Sequence, residues 1–450
     1  MTMAGSDATD FYAVRLARVD AGCPVISIGD IQNERGTLIV RKGNRIDRQV
    51  AERILRHRLA RPLEEQVALG CMLDVPDLEA CYQALFAAYP DLDALRRHVE
   101  PDGVYSELAH AARFHPVFWQ KLTVLRRQLP REFEKALFCA WLATWIARLH
   151  GLPRSDVEAV FIAAIGHDFG MLHLSPALLA KGDALTPAEW HGIQRHVDIG
   201  RDLLRRLPGV PPLAVRAVAE HHERCDGTGY PRGLEEKDLC LAGQILAMAD
   251  SIQAIRVNQF GGSGRTLANV MPFLQLNTYT HFESVYRAAM ALLKRAKDHE
   301  SRKFDAGQIG HLLKRLPVRC RWLRGTERIL ERLLEMLEGV PDPRDYRRLL
   351  RVAQRVRKMI TQAGLAQADV AAWVEGLSLE TVDQETARDL DDLKLMAIEL
   401  HWQIRNLVRV GESCLAKAES GGMDHLKGTV GFVLGELRGE LARWDEETGG

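Results

Sequence analysis

A mainly α-helical protein is what this sequence predicts: a small α+β N-terminal domain, a central all-α domain and a C-terminal helical bundle. Three observations carry that reading. Apolar residues recur at three- and four-residue spacing from Pro116 nearly to the C-terminal end, the period of helices with one buried face. Strand-like alternation is confined to a short stretch between Val25 and Ile46. Aromatic residues make up only 6% of the chain, so the cores rest on Leu, Ala and Val, which suits helices packed on helices. At 450 residues the chain exceeds one ordinary core, and shifts in pattern divide it into 1–100, 101–317 and 318–450.

The elements follow in order. Residues 1–20 read as a lead-in. Val25–Ile28 and Gly36–Arg41 alternate, with Gly36, Gly43 and Asn44 at the bends, which predicts a hairpin-like unit. Asp47 is placed to cap a helix from Arg48 to Leu59, and Pro62 ends it. Helices are expected at Asp77–Ala88, Leu92–Val99, Pro116–Leu129 and Glu132–Leu149. Ser155, with Glu158 three residues on, predicts a capping box for a helix that runs into His167-Asp168 and breaks at Gly170. Thr186-Pro187-Ala188-Glu189 predicts a second box, opening a helix that carries His191 and His196.

A helix from Leu213 ends at His221-His222, a loop holds Asp226-Gly-Thr-Gly-Tyr-Pro231, and Asp250 rides on a helix from Leu241 to Ile255. Gly261–Gly264 interrupts. After Phe282–Ala296 a short helix is expected before Pro317, then helices near 318–338, 343–363, 366–376, 384–418 and 422–445. Leu393, Met396, Leu400 and Ile404 form a stripe that reads as core.

Formal net charge is zero, which removes a global electrostatic case for nucleic acid, so DNA is not an expected partner. The Arg-rich stretch Lys314–Lys358 is interleaved with Glu327, Glu331, Glu335 and Glu338, a solvated helical face. The eight cysteines are scattered without a C-x-x-C pair, which reads as reduced, cytoplasmic usage rather than a disulfide framework. No signal pattern opens the chain and no apolar run of about 18 residues exists, so no membrane span is expected.

His167, Asp168, His196, His221, His222 and Asp250 fall at or near the ends of successive helices. A helical bundle can gather such positions at one pole. Imidazoles mixed with carboxylates suit Fe, Mn or Zn, and a two-metal site of this kind activates water and polarises phosphoryl oxygen, which points to phosphoester hydrolysis.

Over about 105–315 the chain resembles the HD-GYP family, a branch of the HD phosphohydrolase superfamily. The motifs are His167-Asp168-Phe169-Gly170, Lys181-Gly182 through Thr186-Pro187-Ala188-Glu189-Trp190, Arg195-His196 through Gly200, and His221-His222-Glu223 through Gly229-Tyr230-Pro231, completed by Asp250. The resemblance implies an all-α domain binding Fe or Mn and hydrolysis of cyclic di-GMP. It implies Asp168 as the bridge between ions, His167 and Asp250 at a first ion, and His196 and His221 at a second. It assigns His222 to a third where one exists, and Gly229, Tyr230 and Pro231 to the substrate-side loop.

Two departures stand against this. A histidine expected at a first-ion position is replaced by Lys135, with Arg131 and Glu132 near the place of a further carboxylate. The lysine that would follow Gly170 is Met171, so its role toward a substrate phosphate or leaving group is lost. The expectation is therefore a protein of cyclic di-GMP signalling with reduced or lost phosphodiesterase activity and a binding or regulatory role. It would carry one or two Fe or Mn ions, an incomplete set or none, and use its flanking domains for protein partners or a homodimer. The alternatives are an active metal-dependent phosphodiesterase with an altered site, or the same fold turned to another phosphoester.

Overall fold

The computed structural model describes residues 10–19, 22–99, 115–182, 185–260, 265–297, 303–339, 346–417 and 424–448. The expected lead-in over 1–9, the break at 261–264 and the helix start at Pro343 lie outside them.

The N-terminal part holds α1 (Tyr12–Ala17), β1 (Val25–Ser27), β2 (Ile31–Gln32), β3 (Leu38–Val40), α2 (Arg48–Ile54), β4 (Val67–Leu69), α3 (Val75–Ala88) and α4 (Pro90–Val99). Asp47 caps α2 through Val50 N, as its side chain predicts. The hairpin is rearranged. β2 pairs with β3, whereas β1 pairs antiparallel with β4, Val25 opposite Leu69. That partner lies some forty residues away, beyond the reach of a local alternation pattern.

Central helices are α5 (Pro116–Gln128), α6 (Pro130–His150), α7 (Arg154–Gly166), α8 (Pro176–Leu179), α9 (Pro187–Gln194), α10 (His196–Arg206), α11 (Pro212–Glu220), α12 (Leu241–Phe260), α13 (Met271–Leu276) and α14 (Glu283–Lys297). Gly151, in the left-handed region at φ 87°, ends α6. The box at Thr186 and Glu189 forms. The one expected at Ser155 does not: Pro153 is the N-cap and α7 starts at Arg154, leaving Ser155 inside the first turn. The expected long helix through His196 is split at Arg195 into α9 and α10.

The N-terminal and central parts share one continuous apolar core, from Tyr12 to Leu293. A fully buried Lys121 on α5 sits against it, 2.9 Å from His173 Nε2, 3.7 Å from Glu64 and over the Tyr12 ring; Asp10 meets the other nitrogen of His173 at 2.8 Å.

The C-terminal bundle comprises α15 (Ala306–Glu338), α16 (Arg347–Ala363), α17 (Ala368–Glu375), α18 (Gln384–Lys417) and α19 (Asp424–Thr448). α15 runs unbroken through Pro317, where a stop was expected. Its core is separate and includes Leu400 and Ile404 at full burial, with Leu393 and Met396 packed beside it. Leu276 of α13 enters that core, and a two-pronged Arg265–Asp391 pair at 2.8 and 3.0 Å, both side chains buried, ties the bundle to the central helices.

One expectation about chemistry is overturned: Cys23 and Cys71 form a disulfide closing the β1–β4 end of the N-terminal part. Their separation in sequence hid a pairing made by the tertiary fold. Among the described residues, no helix is long and apolar enough to cross a membrane.

Candidate metal centre

The centre forms where α6, α7, α10, α11 and α12 meet. α7 ends in His167-Asp168, α10 starts with His196, α11 runs into His221-His222 and α12 presents Asp250. All six predicted ligand-type residues converge. The ring centres of His221 and His222 are 4.0 Å apart, and those of His196 and His222, and of His167 and His221, are 5.1 and 5.2 Å apart.

Glycine permits the approach. A Cβ on Gly170 would stand 2.0 Å from His196 O, so only glycine lets the chain after His167-Asp168 pass beneath the start of α10. At Gly229 the same atom would meet Glu223 Cα at 2.4 Å.

Three histidines are oriented alike. Nδ1 of His167, His196 and His221 contacts the carbonyl three residues back, Ala164, Ile193 and Val218, at 2.7, 2.7 and 2.6 Å. For His196 and His221 an Nδ1–H donating there leaves Nε2 with its lone pair free, the tautomer a metal needs; for His167 burial is outweighed by Asp168, which holds its pKa above the usual imidazole value. The Nε2 atoms of His196 and His221 are buried without a hydrogen-bond partner. Such orphans are costly unless something electropositive is placed among them. Ligand atoms of His196, His221 and His222 lie within 4.8 Å of one another, as do those of His167, Asp168 and His221. Asp168 Oδ1 is 3.5 Å from His196 Nε2.

Lys135 occupies the other side. Its Nζ is 2.9 Å from Asp168 Oδ2 and 2.8 Å from Asp250 Oδ1. His167 Nε2 is 3.0 Å from the same Asp168 oxygen, off the axis of a hydrogen bond. Burial pulls the lysine pKa down, but Asp168, Asp250 and Glu132 outweigh it and hold the ammonium charged well above the usual range. Burial raises the two aspartates; for Asp168, His167 and Lys135 reverse this, and for Asp250, Lys135 and His167 do, so both stay ionised. Burial, then His167 and His196, pushes His221 down to about 3, and burial together with His221 pushes His222 well below the usual imidazole value. Both are neutral ligands at neutral pH.

Fit to metal is thus divided. The His196, His221, His222 and Asp168 side suits one divalent ion. The Asp168–Asp250 side is already occupied by a cation, and a second ion there does not fit while Lys135 stays.

Tyr230 stacks on His222 with ring centres 4.6 Å apart and meets exposed Trp190 edge-on at 5.8 Å. Tyr230 N donates to His222 O, and Glu223, fully buried, accepts from Arg232 N at 2.7 Å and Leu234 N at 2.9 Å. The loop from Gly229 to Pro231 therefore leans on the centre from the His222 side. Met171 lies half-buried on the 3₁₀ turn Phe169–His173, without a charge to offer.

One residue escaped sequence reasoning: Cys139, buried with Sγ near His167 and Asp250. Glu132, its pKa raised by burial and by Asp168, faces the cluster, whereas Arg131 is exposed. Glu132, Lys135 and Cys139 follow i, i+3, i+7 spacing on α6, a signal readable once Lys135 is taken as a site residue. Arg256 and Arg265, which flank the Gly-rich break, turn away: one to Tyr89 and Asp91, the other to Asp391.

The helical fold and the paired His-Asp at its pole define a metal-binding HD domain. Residues 120–284 match the family described as HD domain. The chain is similar to a cyclic di-GMP phosphodiesterase of Thermotoga maritima, 38% identical over 116 residues, 26% of this chain and 32% of the relative. It is similar to 3'3'-cGAMP-specific phosphodiesterase 2 of Vibrio cholerae, 32% identical over 149 residues, 33% of this chain and 28% of the relative. A third is cyclic di-GMP phosphodiesterase PA4108 of Pseudomonas aeruginosa, 30% identical, covering 33% of this chain and 36% of the relative. The chain thus spans about a third of the length of these relatives. Residues 120–284 form an HD domain that, with the His221-to-Pro231 motif in place, resembles the HD-GYP branch of the HD superfamily.

Proposed function

We propose that this protein acts in cyclic di-GMP signalling as a binding module whose phosphodiesterase turnover is reduced or lost. The observation that carries this reading is the Lys135 ammonium held between Asp168 and Asp250. A divalent ion about 4 Å from that ammonium would meet a repulsion on the order of 8 kcal/mol at an effective dielectric near 20. One positive charge is shared between the two aspartates without a metal, and the bridging role expected of Asp168 is half taken.

A single Fe or Mn ion would be held by His196, His221 and His222 with Asp168. When bound, such an ion supplies Lewis acidity toward phosphoryl oxygen. The chain's own residues keep the imidazoles neutral, close the loop of Gly229, Tyr230 and Pro231 over His222, and present Trp190 at the rim. Met171 offers no proton and no phosphate contact. Removal of a general acid lowers rate by about 10²–10⁴.

A second reading, a slow phosphodiesterase working with that one ion, is favoured by the free Nε2 atoms of His196 and His221. Likeness to both cyclic di-GMP and 3'3'-cGAMP phosphodiesterases supports cyclic dinucleotides as the ligand class. The test is calorimetric binding and hydrolysis of both by anaerobically purified protein with Fe(II) or Mn(II), beside a His167→Ala/Asp168→Ala double variant. Binding without turnover is expected. Rapid turnover that the double variant abolishes would establish the second reading instead.

A further inference from the structure

We infer that Arg355, supplied by the C-terminal bundle, is a positioning residue for the metal centre, holding the 226–231 loop so that Tyr230 stays on His222. This rests on the reading of His222 as part of that centre.

Arg351 and Arg355 lie one turn apart on α16, with Arg355 at the edge of its apolar face of Leu349, Val352, Val356 and Ile360, where it reaches both Gln403 of the bundle and the 226–231 loop. Arg355 is mostly buried. Its Nη1 donates to Thr228 Oγ1 at 2.6 Å and lies 3.8 Å from Asp226 Oδ2, while Nη2 donates to Gln403 Oε1 at 2.9 Å. Thr228 in turn gives its hydroxyl and its N–H to Asp226 Oδ1. Arg351 pairs with Glu235 at 2.5 Å, at the far end of the same loop, which the Asp226–Glu235 bridge closes.

Gly227 takes φ +70°, a conformation that favours glycine, and the loop passes close to the bundle there: a Cβ would stand 2.2 Å from Arg351 Nη1. The outer side of the loop is thus gripped by the bundle, and its inner side carries Tyr230 against His222. A planar guanidinium spans Thr228 and Gln403 at once, which an ammonium on a flexible stem does not.

The bundle has other attachments, among them Arg265–Asp391 and the apolar contact of Leu276. General docking and loop positioning are therefore separable. The full-length chain is compared with Arg355→Ala, Arg355→Lys, Thr228→Val and Asp391→Ala by amide hydrogen exchange and Mn(II) titration. Exchange at Tyr230 N–H, which is bonded to His222 O, reports the loop directly.

Arg355→Ala and Thr228→Val are expected to speed exchange over 226–232 by about tenfold or more, as a local opening does. They are expected to weaken Mn(II) binding by about 5- to 100-fold, with Arg355→Lys intermediate. Asp391→Ala, which loosens docking away from the loop, leaves both nearly unchanged. Equal effects from Arg355→Ala and Asp391→Ala would reduce Arg355 to a docking contact, and an unaltered Tyr230 amide in Thr228→Val would overturn the inference. Should the wild type bind no Mn(II), the metal reading fails, while the exchange comparison still decides the role of Arg355.

Discussion

Lys135 is the residue on which the proposed function turns. Placing an ammonium where two buried carboxylates converge satisfies them without metal. Substituting Lys135→His removes that charge and adds a neutral ligand beside His167 and Asp250. Metal analysis of anaerobically prepared protein should then rise from about one ion per chain toward two. Lys135→Met should destabilise by about 3–5 kcal/mol in metal-free protein, because two buried aspartates lose their counter-charge; urea unfolding measures it. Gly170→Ala tests the close passage under His196. With a Cβ aimed at 2.0 Å from a backbone oxygen, α10 must shift, and a loss of about 1–3 kcal/mol is expected by thermal unfolding, with weaker Mn(II) binding. Lys135 was legible only through the resemblance to the HD-GYP family, which expects a histidine at its place. Its contacts with Asp168 and Asp250 were not, since they join α6, α7 and α12 across more than a hundred residues.

Elements were read best where a side chain acts on its own backbone. Asp47 and Thr186 cap as expected because the bond each makes is three residues away. Ser155 fails because Pro153 already holds the N-cap and the helix starts one residue earlier. The loop after His222 depends instead on Glu223, whose carboxylate accepts from Arg232 N and Leu234 N. Glu223→Ala should strand two N–H groups and cost about 2–5 kcal/mol. Glu223→Gln, which keeps one acceptor, should cost less. Thermal unfolding gives the difference, and exchange at residues 232–234 locates it.

Across the molecule, the three sequence regions are not three independent bodies. The N-terminal part shares its core with the central helices, and Asp10, Glu64, Lys121 and His173 bind the two by charge, two residues beyond Met171. Burial lowers the Lys121 pKa to about 8 in the folded state, against the usual lysine value near 10.4 when unfolded. Between those values the unfolded chain holds more protons, so stability rises with pH. Buried Tyr12 is pushed well above the usual tyrosine range and stays neutral over that window. Between pH 7.5 and 10 the urea stability of the wild type should rise relative to that of Lys121→Met by an amount on the order of 1–3 kcal/mol, a comparison that cancels Cys225 and Cys240, whose raised pKa values act in the opposite sense. Reading the sequence as reduced cytoplasmic usage missed Cys23–Cys71, for the same reason it missed β1 with β4: both pairings close loops of more than forty residues.

Periodicity and local chemistry alone determined the helical class, most helix ends and the His/Asp constellation, because each depends on spacings within a few turns of one chain; the substitution at Lys135 was read from the resemblance to the HD-GYP family. Only the tertiary structure decided which atoms face one another. It paired Lys135 with both aspartates, brought Cys139 and Glu132 to the centre, carried α15 through Pro317 and set Arg355 of the bundle on Thr228. Those contacts are made between elements distant in sequence, where the packing of several helices, rather than the periodicity of any one, fixes distance and direction.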